Sequence, residues 1–525
     1  MSAREPLLVL PSAEPEKRSG DGVRQPLPLH MRIVTLLYGD STSDDALVHA
    51  GFYALLMCAI VGVYWLLRSL KDSVFATVVG LEYQPIAKMS SLVVVTVLLL
   101  LYNKGVDLLA GKSPQRSGVG APLFAAVFSC YAAVFLAVAA GLGSTQYGLY
   151  GPSGEPLSPS PYRLLGWVFY FAIESYGTLS VSLFWQFVNS QVGVKAAKSQ
   201  YGIIVAGGQV GAIGGCTIVI SCRSLGVPRL AGLGALLTLL PVLLLRRCSR
   251  GSGTDAAPHS PHDSQQSRSS RVKPGLLEGA RLVFAHRYVT ALCISTSLYK
   301  VMATIMDYQM QVLVRAEQST ADGYAAFMGL FGVATNTVSL LFSLLGTSCT
   351  LRTLGLRTTL VSYPLCLAAV SIAILFRPDV WVMFYLQTAA KGLSYALQSP
   401  SRELLYIITT DSIKFKAKSW IDVFGGHAAK AAGSAINHAC KHSFELVMTA
   451  GSLTSLGVAI ALALLGSWLG RRFEASSASD ELIGEDDGTI PLGPVTSSSA
   501  KWGGLALHPL EGDGHGLQRG RERAV

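Results

Sequence analysis

The chain is short of charge. Only 14% of its 525 residues are Asp, Glu, Lys or Arg, against about 25% in an average soluble domain. Cysteine pairing is missing too: the nine cysteines stand singly, without a CxxC, so neither a disulfide framework nor a cysteine zinc site is indicated. They lie mainly in apolar segments, where small buried thiols belong. No Asn-x-Ser/Thr acceptor occurs, and no HExxH, GxSxG or dinucleotide fingerprint has a suitable context. The stretch GVDLLAGKS comes near a phosphate loop, but five residues separate Gly105 from Gly111 where that loop needs four. The long polar segments are low in complexity and offer no extramembrane catalytic domain, so the chain does not read as an enzyme, and no metal or cofactor is implied. The net charge of +10 invites a nucleic-acid polymer as partner, but no finger, RRM or helix-turn-helix pattern accompanies it. Glu5, Glu14, Glu16 and Asp21 interrupt the first thirty residues and argue against a secretory signal or a transit peptide.

What the chain does have is apolar length. Half its residues are hydrophobic and its mean hydropathy is +0.43. Runs near twenty residues recur, each long enough to cross a hydrocarbon core of about 30 Å. The fold class expected is all-α: a polytopic protein with about twelve membrane helices. Spans are placed at 47–67, 86–103, 121–142, 163–188, 200–220 and 229–245, then at 288–312, 324–346, 358–376, 379–399, 419–439 and 445–469. A Ser/Gly/Arg-rich linker at 246–274 separates an N-terminal six-helix bundle, 47–245, from a C-terminal one, 275–470. Polar, disordered tails are expected at 1–46 and 471–525. Lys and Arg crowd the loops on one side, whereas loop 143–162 has neither, so both termini are expected on the cytosolic side. Two six-span halves joined by a basic inside linker suggest a major-facilitator-like arrangement with its site at the midplane. A monomer in the lipid bilayer is expected, although no sequence repeat between the halves is visible.

Ionisable residues inside spans are costly, which makes them functional candidates. Glu174 sits mid-span in WVFYFAIESYGTLSVSLFW and Asp307 in VMATIMDYQMQVL. Arg68 and Lys71 close the first span in YWLLRSLKDSVF, and Lys391 lies in LQTAAKGLSYALQSP. The stretch SPSRELLYIITTDSIKFKAKSWIDVFGGHAAKAAGSAINH, 399–438, is too charged for an ordinary span and too apolar for a loop. Arg402 and Glu403 open it, and Gly, Ala and Ser crowd around Lys430, leaving room for a close partner or ligand. Cations beside a cavity suit an anionic substrate with several phosphates.

Three blocks resemble the nucleotide transporter family of plastid and intracellular-bacterial ATP/ADP translocases: WLLRSLKDSVFATVVG at 65–80, the stretch YFAIES to AIGG at 170–215, and the stretch KGLSY to GSAI at 391–436. The resemblance spans roughly residues 50–470 and implies transport of ATP and ADP, commonly by exchange. It also implies residue roles. The lysine of the family's R-x-x-K-D segment falls on Lys71, its intramembrane glutamate on Glu174 and its late lysine on Lys430. A second glutamate falls near Asp307, one methylene shorter, and P-x-(K/R)-E-x-x-Y matches Pro400, Arg402, Glu403 and Tyr406. Lys71, Lys430, Arg68, Lys391 and Arg402 are then expected to hold phosphates, with Glu174, Asp307 and Glu403 pairing their charges. Tyr176, Trp185, Tyr308 and Tyr395 are candidates for the adenine. The alternatives are a proton-coupled carrier of nucleotides or another organic anion, and a non-transporting membrane receptor or scaffold.

Overall fold

The computed structural model describes residues 44–111, 120–191, 194–251, 276–345, 347–394, 398–410, 412–479 and 482–484. These are mainly helical and contain no β-strand, only two isolated bridges. The first half of the chain gives α1 (Asp44–Phe75), α2 (Gln84–Gly111), α3 (Gly120–Gly143), α4 (Leu164–Gln191), α5 (Val194–Ile220), α6 (Val227–Leu237) and α7 (Leu240–Gly251). The second gives α8 (Leu276–Ala285), α9 (Arg287–Glu317), α10 (Ala321–Leu345), α11 (Thr347–Phe376), α12 (Val380–Leu393), α13 (Ser399–Leu404), α14 (Gly426–Cys440) and α15 (Phe444–Ser479).

Nine stretches among the described residues are long and apolar enough to cross a membrane. The first, Val48–Tyr102, holds α1 and α2 together, so ten of the twelve expected spans lie within these stretches. The turn between α1 and α2 is made at Gly80, whose φ of +118° a side chain rarely adopts. The two remaining spans, 379–399 and 419–439, are helical where they are described but are not among these nine stretches. The helix α12 runs to Leu393, and two π-helical turns, Ile413–Ala417 and Ile421–Gly425, precede α14. These turns fall beside the lysines of 414–418, which interrupt the apolar sequence. Most of the expected tails and linker lies outside the described residues. Where the edges are described they extend helices: α7 runs on to Gly251 and α15 to Ser479, and Ile483 bridges to Thr409.

In the first group α1 packs on α4, α5 and α6, and α3 on α4 and α6; in the second, α9 packs on α14 and α15, and α11 on α15. The α1–α5 contact is the most extensive, and it depends on a stripe of glycines at i, i+4 and i+8. A β-carbon at Gly207, Gly211 or Gly215 would stand 2.4, 2.2 or 2.0 Å from the carbonyl oxygens of Ala54, Cys58 and Gly62. Close backbone approach through small residues is how helices gain packing where lipid removes the hydrophobic drive. Between the groups, α10 lies on α1 and α5, and α2 lies on α14.

At the end carrying loop 144–163 the two groups are fastened by polar contacts. The side chain of Asp322, in the first turn of α10, accepts from the Val227 backbone N–H at 2.8 Å and the Tyr150 hydroxyl at 3.2 Å. The Cys222 thiol donates to Oδ1, the oxygen that also accepts from Val227, at 3.8 Å, and the Ser73 hydroxyl donates to the Ala321 carbonyl. Burial, then the Asp322 carboxylate, pushes the Tyr150 phenol up to about 12, so it stays a donor at any physiological pH.

The glycine stripe makes a direct prediction. Gly211→Val should lower stability in detergent by about 1–3 kcal/mol, because its contacts are backbone atoms that cannot move aside. Gly214→Ala, with nothing within 4 Å of its β-carbon, should leave the melting temperature unchanged or slightly raised. Equal melting of the two variants would show that the stripe does not set the helix separation.

Candidate functional site

Four helical faces surround a cavity of about 350 Å³ between the two groups of helices. From α1 come Trp65, Arg68, Ser69 and Asp72, and from α10 Met328, Phe331, Gly332 and Thr335, both at the i, i+3, i+4, i+7 spacing of one helical face. From α9 come Tyr299, Lys300, Ala303, Asp307, Met310 and Gln311. The fourth side is Lys391 and Ser394, then Gln398 and Arg402. Four cations and two carboxylates therefore share one wall system.

The carboxylates inside the bundle are each met by a lysine. The Lys71 ammonium, 5% exposed, donates to Glu174 Oε1, lies 3.5 Å from Asp72 Oδ1, and sits 4.2 Å over the Tyr170 ring. Lys391 Nζ lies 2.8 Å from Asp307 Oδ1, which also accepts from Gln387 Nε2 at 3.0 Å. Lys391 stands 4.9 Å over Phe331. Arg68 donates to the Tyr64 hydroxyl at 2.7 Å and lies 5.3 Å over Trp65. Pairing of this kind is what makes charge tolerable in a low-dielectric interior.

The structure thus brings Arg68, Lys391, Arg402 and Asp307 to the cavity wall, with Lys71 and Glu174 as a pair beside it. Lys430, on α14, is exposed and does not line the cavity, but the charges of Glu174, Lys300, Arg68 and Lys71 act on it. Its small neighbours serve helix packing. A β-carbon at Gly426 would strike Lys300 Nζ, and one at Gly433 would stand 2.9 Å from the Val301 carbonyl. Glu403 is set apart: it is exposed and pairs with Lys418, whose ammonium lies 5.4 Å over the Tyr406 ring. Lys416 similarly pairs with Glu278, so these lysines brace α8, α13 and the 413–425 turns.

The aromatic candidates fare differently. Tyr176 is fully buried among Phe128, Tyr131 and Phe135, and Trp185 packs on Phe184 and Tyr201. Tyr308 is core, and none of the three lines the cavity; Tyr395 lies outside the described residues. The rings at the wall are Trp65, Tyr299 and Phe331. Two lysines escaped the sequence reading. Lys300 stands two turns before Asp307 on the same face of α9, a spacing that could have found it. Lys88, on α2, is acted on by Asp307, Glu174, Lys71 and Arg68, but near a span's start it passes for a boundary lysine.

A family model described as TLC ATP/ADP transporter matches residues 47–377. ADP,ATP carrier protein 1 of Rickettsia bellii (strain RML369-C) is 23% identical over 437 residues, covering 73% of this chain and 84% of its own. ADP,ATP carrier protein 2, chloroplastic, of Arabidopsis thaliana is 26% identical over 354 residues, covering 61% of this chain and 56% of its own. Among solved structures the nucleoside transporter NupG superposes with a TM-score of 0.54 at 14% identity, over 79% of this chain and 98% of that one. A D-xylose-proton symporter gives 0.51 at 14% identity, over 80% and 97%. These two likenesses show a major-facilitator-like fold and nothing about substrate.

The ion pair at α1 and α4 is open to a double-mutant test. Lys71→Ala should destabilise the protein more than Lys71→Ala combined with Glu174→Ala, because the single change strands a carboxylate. The coupling read from melting in detergent should exceed about 0.5 kcal/mol. Strict additivity would mean that the pair carries no net interaction.

Proposed function

Because the chain belongs to the TLC ATP/ADP transporter family, we propose that it exchanges ATP for ADP across a membrane by alternating access. The observation that carries this is the convergence of Arg68, Lys300, Lys391 and Arg402 on one cavity between two groups of membrane helices. A nucleotide's phosphates need several cations at once, and cations of low mobility in a partly dry cavity bind them far better than surface lysines do. Lys71 and Lys430 stand close enough to add to the same field. Glu174 and Asp307 hold their lysines in the empty state and release them toward phosphate oxygens when substrate arrives. The two six-helix halves, 47–245 and 275–470, then rock about the site. Both termini face the cytosol and the protein acts as a monomer; loop 143–162, without Lys or Arg, supports that orientation.

Proton-coupled uptake would need one of the intramembrane carboxylates to take up a proton in each cycle. Glu174 and Asp307 are instead each paired with a lysine, which favours exchange.

Protein reconstituted in liposomes should take up labelled ATP only when ADP or ATP is inside. Lys430→Ala should lower that uptake at least about tenfold while leaving the amount of folded protein unchanged. Uptake into empty vesicles that follows a proton gradient would replace exchange by symport. Unchanged uptake by the Lys430 variant would remove that residue from the mechanism.

A further inference from the structure

Lys300 reaches the cavity wall on a long stem that turns freely. Arg402, at the same wall, and Lys430, on α14, are near enough for their charges to act on it, and both push it away. The ammonium is held nonetheless: it donates to the Asp422 carbonyl at 3.3 Å.

That carbonyl is free because of the π-helical turn Ile421–Gly425. The Gly426 N–H reaches back to the carbonyls of Ile421 and Val423 and passes over Asp422, the acceptor that an α-helix would use. Lys300 takes the acceptor that the turn has skipped. The residue after the turn is small for a separate reason. Gly426 has ordinary right-handed helical angles, φ −65° and ψ −40°, so its backbone conformation is open to any side chain. A β-carbon there, however, would stand 2.1 Å from Lys300 Nζ and 3.2 Å from Cε. At Gly425, one residue earlier, it would meet nothing nearer than Cys293 Sγ, at 3.6 Å.

We propose that the Asp422 carbonyl and Gly426 position Lys300 for substrate. The skipped carbonyl anchors the ammonium against the repulsion of its neighbours, and the missing β-carbon leaves the ammonium its place. An ammonium has three donors, so one on the carbonyl leaves two for phosphate oxygens. A cation already in place gives up less freedom when the phosphates arrive. The assignment rests on the proposed nucleotide exchange and names what holds one of that site's cations. Gly426 touches no substrate; it acts through Lys300 alone.

The test is the KM for external ADP in liposomes loaded with ADP. Gly426→Ala should raise it about three- to tenfold with the maximal rate within about twofold of wild type, and Lys300→Ala should raise it about tenfold or more. Adding Gly426→Ala to Lys300→Ala should change KM no further. Gly426→Ala should melt as the wild type does, since the atom that must yield is the end of a flexible side chain. The assignment is overturned, with exchange left intact, by a Gly426→Ala protein that keeps the wild-type KM, by a Gly426→Ala change that raises KM as much without Lys300 as with it, or by loss of cooperative melting in Gly426→Ala. A Lys300→Ala protein with the wild-type KM overturns it as well. No exchange by wild-type protein that melts cooperatively would overturn the exchange reading and this assignment with it.

Discussion

Charge inside a hydrocarbon layer has to be paired, and the rest of this structure is arranged around that requirement. The two pairs are placed by one rule. Lys71 on the first span meets Glu174 on the fourth, and Asp307 on the seventh span meets Lys391 on the tenth. Adding six to each span number turns one pair into the other with the signs exchanged. Two of the contacts between the groups follow the same shift: α2 with α14 joins spans two and eleven, and α10 with α5 joins spans eight and five. The two ion pairs thus occupy matching spans with opposite charges.

That inversion explains much of what could and could not be read from the sequence. Apolar run length located the spans, since each helix must satisfy its own backbone in lipid. It did not anticipate the π-helical turns Ile413–Ala417 and Ile421–Gly425, which fall beside the lysines of 414–418. Intramembrane charge led to Glu174, Asp307, Lys71 and Lys391, because a charge in an apolar run is conspicuous along the chain. Lys88 and Lys300 were hidden by position, one near a span's edge and the other overshadowed by Asp307 seven residues later. Three of the adenine candidates, Tyr176, Trp185 and Tyr308, stand away from the cavity wall for a different reason. Proximity in sequence to a charged block says nothing about which helical face a ring occupies, and Tyr176 turns into the core. The glycine stripe of α5 was legible as a spacing but not as a contact until α1 was laid against it.

The fastening around Asp322 joins the two groups of helices at one end. Hydrogen bonds from Val227 and Tyr150 tie α10 to the first group of helices at one end, alongside the Ser73–Ala321 contact. Alternating access would open that end only with both donors exchanged for water.

Exchange, as opposed to one-way passage, follows from the charge balance of the wall. Arg68, Lys300, Lys391 and Arg402 face only Asp72 and Asp307 across the cavity. Among the described residues no carboxylate forms an ion pair with Lys300, whose ammonium donates to the Asp422 carbonyl at 3.3 Å. An empty cavity closing at both ends would dehydrate this excess of positive charge with nothing to compensate it, which is the costly case for buried ions. A nucleotide carrying several negative charges removes that penalty in either direction of travel. The loaded form then crosses and the empty form does not, so each substrate that leaves must be replaced by another before the site can return.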